Sequence, residues 1–105
     1  MTATTVLDLH GVTTKTAFME RCAEQLRLPG WFGRNWDALY DCLTDLPDPE
    51  RGGLRLVVRG WREFAAAEPG EWRTARRVLA EAEAFHDPAV LPLRVVLEEP
   101  TNDPS

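Results

Sequence analysis

The sequence has little from which the commoner kinds of site are built. It has only two cysteines, Cys22 and Cys42, with neither CxxC spacing nor partner histidines, which argues against a zinc site and a secreted disulfide framework. Both are expected to be reduced thiols packed as small apolar groups. No apolar run approaches the roughly 20 residues needed to span a bilayer, and Met1–Thr5 lacks the basic and apolar regions of a signal peptide. The expectation is a soluble, cytoplasmic chain with no membrane contact. No GxGxxG, P-loop, HExxH or GxSxG pattern occurs, so no phosphate cradle, zinc-protease helix or nucleophile elbow is present to suggest an enzyme. His10 and His86 each sit at the end of an expected element, where a turn or surface role is the natural reading.

What is present is charge, unevenly placed. Twelve basic residues against seventeen acidic ones leave −5, which disfavours a general affinity for nucleic acid. Asp37, Asp41, Asp45, Asp48 and Glu50 fall in one window without Lys or Arg, and the rest of the chain is balanced. All of the net charge therefore lies in residues 35–50, and a focused acidic field steers a cationic partner.

At 105 residues and 44% apolar composition, the chain suits one globular domain, expected over residues 1–98, with 99–105 as a disordered tail. Thr4–Leu9 reads as a first strand, and the spacing of Phe18, Cys22 and Leu26 predicts a helix over 16–26 capped by Thr13, Thr14 or Thr16. Pro29 and Gly30 stop it, and a loop carries Trp31 and Phe32. These two aromatics either fold back on the core or, for Trp31, anchor an interface. Asn35 caps a second helix running to about Thr44, followed by an acidic Pro- and Gly-rich loop over 45–53. Leu54–Arg59 and Leu93–Leu97 read as strands covered on both faces. Between them lie helical patterns over 61–68, ended by Pro69 and Gly70, and over 71–85, the latter burying Trp72, Ala75, Val78, Leu79 and Ala82. The order predicts an α/β fold: a three-stranded parallel sheet covered by about four helices.

On the second helix, Trp36, Leu39 and Leu43 form an apolar stripe that must face the sheet, while Asp37, Asp41 and Thr44 share the solvent side and Tyr40 borders both. Asp37 sits in the first turn, where the helix dipole stabilises a carboxylate. Asp41 lies beyond that turn, has poor helix propensity, and has another aspartate at i−4. A local rule broken without structural gain marks a functional residue. Catalysis by this pair is opposed by geometry, since paired acids of glycosidases face each other across a cleft and one convex helical face has no opposite wall. The acidic loop lacks the spacing and glycine of a calcium loop, so no metal is expected.

The run Leu28-Pro-Gly-Trp-Phe-Gly-Arg-Asn-Trp-Asp-Ala-Leu-Tyr-Asp-Cys-Leu-Thr44 resembles the signature of the barstar family of ribonuclease inhibitors, which reads LP, two aromatics, G-x-N-x-DAL-aromatic-D-C-L-T. The order of strands and helices agrees over residues 4–98. The resemblance implies a cofactor-free, non-enzymatic α/β domain, monomeric when free, that plugs the active site of a small basic, secreted-type, guanyl-preferring ribonuclease and protects the producing cell. It implies that Asp41 enters the enzyme's phosphate-binding pocket and that Asp37 meets the surrounding basic surface. Trp31 matches a loop tyrosine that packs on the catalytic histidine, and Tyr40 matches a tryptophan. Gly33, Asn35 and Thr44 match contact residues of the same segment, and Glu81 matches an interface glutamate on the last helix. Arg34, Leu46 and Phe85 depart from the family pattern, which points to a related ribonuclease with a different rim. A regulatory module binding a basic protein other than a ribonuclease, and a small enzyme, are the alternatives. Partner capture and a turnover assay, respectively, separate them from the inhibitor.

Overall fold

The computed structural model describes residues 3–28, 30, 32–47, 52–86 and 92–98. The elements run β1 (Ala3–Asp8), α1 (Lys15–Gln25), α2 (Trp36–Asp45), β2 (Leu54–Arg59), α3 (Arg62–Ala67), α4 (Pro69–Phe85) and β3 (Leu93–Leu97). The three strands form one parallel sheet in the order β1-β2-β3, with Val6 opposite Val57 and Val57 opposite Val96. The α/β class, parallel sheet and four helices agree with the sequence reading. Among the described residues, no helix is long and apolar enough to cross a membrane.

Local chemistry sets the helix limits. Of the three candidate threonines, Thr14 caps α1, its Oγ1 accepting from the Ala17 amide at 3.1 Å. The sequence placed Pro69 and Gly70 as the stop of one helix, whereas Pro69 is the first residue of α4, separated from α3 by Glu68 alone. Both roles follow from one property, because proline lacks the N–H that a helix interior needs and the first turn does not.

Leu54, Leu56 and Val58 of β2 point into the core with Leu7 and Leu93, against Phe18, Met19 and Cys22 of α1, Leu39 and Leu43 of α2, and Ala75, Val78, Leu79 and Ala82 of α4. A chain of rings runs through it, Phe18 lying 5.4 Å from Trp36 and 5.0 Å from Phe64, with Phe64 6.3 Å from Trp72 and Trp72 stacked at 5.1 Å on Trp61. Such contacts add to simple area burial and tie α2 to α1 and α3.

Among the described residues, the sheet is not covered on both faces as expected. All its core residues lie on one side, and the opposite side carries Thr4, Val6, Arg55, Arg59 and Arg94 exposed to water. The apolar run Leu56-Val57-Val58 hides a period-2 alternation, because Val57 lies on the outer side between its register partners Val6 and Val96 and is buried there without joining the core. Close approach fixes Gly53, whose φ is +116° and where a Cβ would lie 2.6 Å from the Pro92 carbonyl oxygen.

Both cysteines are buried free thiols. Burial pushes Cys22 up to about 12, so it stays protonated and unreactive.

Candidate functional site

The site begins at the entry to α2. Asn35 is its N-cap, with extended backbone and Oδ1 accepting from the Ala38 amide at 2.8 Å. Its Nδ2 donates to the Gly33 carbonyl at 3.4 Å, and a Cβ on Gly33 would meet that nitrogen at 3.1 Å, so the turn leaves little room for a side chain. Arg34 between them is left-handed, at φ 53°, an unfavourable conformation for a residue with a Cβ. Asn35→Ala is expected to cost about 1 kcal/mol through loss of the cap, read as a lower urea midpoint at unchanged slope.

Leu39, Cys42 and Leu43 are buried, and Trp36 is half-buried, its Nε1 donating to Glu71 Oε2 at 3.1 Å. These anchors turn Asp37 and Asp41 outward. The helix extends to Asp45, which the sequence reading had placed in the following loop. Asp37, Asp41 and Asp45 therefore stand at intervals of four, forming one exposed stripe of three carboxylates. Each adjacent pair is repulsive, and Asp45 also faces the negative end of the helix dipole. Among the described residues, none of the three carboxylates accepts a hydrogen bond or joins an ion pair. The stripe leaves an electrostatic mark on Cys42, whose thiol is raised first by burial and then by the charges of Asp45 and Asp41. Thr44 is half-buried and donates Oγ1 to the Asp41 carbonyl at 2.7 Å, tying the two expected contact residues together.

Beside the stripe, α2 and α4 border a groove of about 450 Å³ lined by Trp36, Asp37, Tyr40, Arg77, Val78 and Glu81. It brings together predicted residues from two distant parts of the chain, Asp37 and Tyr40 of α2 and Glu81 of α4. It also holds Arg77, which the sequence reading missed. Arg77 Nε lies 3.5 Å from Glu81 Oε1, and the i, i+4 spacing alone could have signalled the pair. Gly33 and Asn35 lie at the helix entry and Asp41 on the exposed side of α2. Trp31 lies outside the described residues, as do Asp48 and Glu50 of the acidic window and the expected tail over 99–105. Phe32, its neighbour, folds back into the core.

Among the described residues, no group of three His, Cys, Asp or Glu is placed to hold a metal ion. The arrangement is instead an array of unneutralised acceptors on a packed scaffold, suited to guanidinium and ammonium donors.

No curated protein matches the chain at a significant level. The family model for Barstar (barnase inhibitor) matches residues 2–98, nearly the whole length and the whole of the site just described. The chain therefore belongs to the barstar family.

Proposed function

We propose that this protein inhibits a barnase-type, guanyl-preferring ribonuclease by seating the acidic face of α2 in the enzyme's basic active site. The observation that carries the reading is the stripe Asp37, Asp41 and Asp45, exposed and unpaired among the described residues, within the segment that resembles the family signature. A ribonuclease cleft must present arginine and lysine to substrate phosphate. A carboxylate on an anchored helix can take the phosphate's place and accept paired guanidinium hydrogen bonds, with little backbone ordering left to do at the moment of binding.

Asp41 fills the phosphate position. Asp37 meets the basic surround, Tyr40 and Glu81 line the flank, and Gly33, Asn35 and Thr44 complete the contact, with Trp31 as a further partner-binding residue. The partner is a small basic ribonuclease of the secreted type, held inactive in the cytoplasm of the cell that makes it. The inhibitor is monomeric when free, forms a single domain over residues 1–98 and has no catalytic activity of its own.

The test is titration of purified protein against a panel of barnase-type ribonucleases. RNA cleavage by at least one enzyme is expected to fall to zero at one equivalent, with no cleavage by this protein alone. Full activity of every enzyme in molar excess of inhibitor would remove the reading.

A further inference from the structure

We infer that Phe85 is a specificity-determining contact, and that the partner ribonuclease carries an apolar recess beside its basic cleft to receive this ring. The inference rests on the inhibitor reading of the α2 face and extends it to the chemistry of the partner's rim.

Phe85 is the most exposed large hydrophobic among the described residues, at 63%. A phenyl group left that open gains little from burial in the free protein. It is nevertheless held in place. Its ring meets Tyr40 edge-on at 6.5 Å and 82°, and meets His86 edge-on at 5.2 Å and 86°. An aromatic already fixed by its neighbours, with only two side-chain torsions, loses little entropy when a partner covers it.

Its position is continuous with the site. Arg77, Glu81 and Phe85 follow at intervals of four and form one stripe of α4. Arg77 and Glu81 line the groove with Asp37 and Tyr40, and Phe85 adjoins it through Tyr40. Charge then decides what this stripe can add. Glu81 is compensated by Arg77 at 3.5 Å, so the α4 side brings almost no net charge, while the α2 side brings three carboxylates. Electrostatic attraction is the work of α2, and the contribution left to α4 is apolar burial. A partner with a basic rim at this point gains no counter-charge, only a cation–π contact on the open ring face, and leaves the rest of the ring in water. A partner with an apolar recess gains the burial of an aromatic ring at the edge of an ionic contact, the environment in which aromatic anchors are effective.

The experiment uses a ribonuclease that the unaltered protein inhibits and compares Phe85→Ala, Phe85→Leu and Asp41→Ala by stopped-flow association and by dissociation. Phe85→Ala is expected to speed dissociation about ten- to a hundredfold, with association within roughly threefold, because short-range contacts act on the off-rate. Phe85→Leu recovers most of the loss, and the urea midpoints of both variants fall only slightly, because the ring is mostly exposed and touches only Tyr40 and His86 among the ring contacts of the described residues. Dissociation of Phe85→Ala at the unaltered rate would overturn the inference while leaving the inhibitor reading intact, provided Asp41→Ala still binds much more weakly than the unaltered protein. A concentration-dependent dimer of the unaltered protein that Phe85→Ala dissolves would also overturn it, by assigning the ring to self-association. Failure of the unaltered protein to inhibit any enzyme of the panel would remove both readings together.

Discussion

Asp41→Ala is expected to weaken ribonuclease binding by roughly 2–5 kcal/mol while leaving the free protein as stable as before or slightly more so. The two halves have different origins. In the proposed complex, the carboxylate would be the partner of buried cationic groups on the enzyme, and truncating it would leave those groups desolvated and unpaired, which costs more than the lost attraction alone. In the free protein, Asp41 is exposed and its carboxylate has no partner among the described residues, so nothing native is broken. The Thr44 hydroxyl bonds to the Asp41 backbone carbonyl, which survives the change. Two repulsive pairs disappear, with Asp37 on one side and Asp45 on the other, each worth a few tenths of a kcal/mol. A poor helix former gives way to the best one, adding about half a kcal/mol more. Free stability is therefore expected to stay level or to rise, by about 1 kcal/mol at most. Urea denaturation and inhibition titration on one preparation check both halves. A lower urea midpoint with undiminished inhibition would make Asp41 a structural residue and reject its central place in binding.

The same residue shows why parts of this site can be read from sequence. Asp41 stands out because it violates local rules for helix stability, and those rules act over four residues. The aligned apolar positions of α4 are legible for the same reason: Trp72, Ala75, Val78, Leu79 and Ala82 repeat at the helical period and are the residues it buries. Asn35 is legible as a cap because it precedes an apolar-periodic run, whereas three threonines before α1 are chemically equivalent from sequence and only the bond from Ala17 selects Thr14. What escaped reading depends on neighbours distant in the chain. Nothing in the spacing of α2 or α4 says that Arg77 shares a groove with Asp37, or that Phe85 touches Tyr40, because both juxtapositions arise from helix packing across more than thirty residues. The open side of the sheet escaped for a subtler reason. Val57 is apolar and buried, as a covered strand would require, but it lies outside the core, between Val6 and Val96 of the adjacent strands.

That open side bears on the second large effect, the rate of association. Three aspartates project from α2, outward from the helix layer, while Arg55, Arg59 and Arg94 lie on the far side of the sheet. Only Arg59 of these is neutralised among the described residues, by Glu98 at 3.2 Å. The molecule thus carries the carboxylate stripe of α2 toward the proposed contact and a row of arginines away from it, so the field both attracts a basic enzyme and helps to orient the approach. Association is expected to slow tenfold or more between low salt and about 0.5 M, whereas dissociation, governed by short-range contacts, changes little. Position separates steering from net charge. Asp45→Asn reduces the negative charge on the docking side and should slow association at low salt. Arg55→Glu makes the whole protein more negative by two, but on the far side, where at physiological ionic strength the screening length of about 8 Å leaves its effect on the rate small. Stopped-flow mixing of each variant with the inhibited ribonuclease across a salt series measures both. If Arg55→Glu accelerates association at physiological salt by as much as Asp45→Asn slows it, total charge and not the α2 face governs encounter, and the acidic stripe is not the surface that leads the enzyme in.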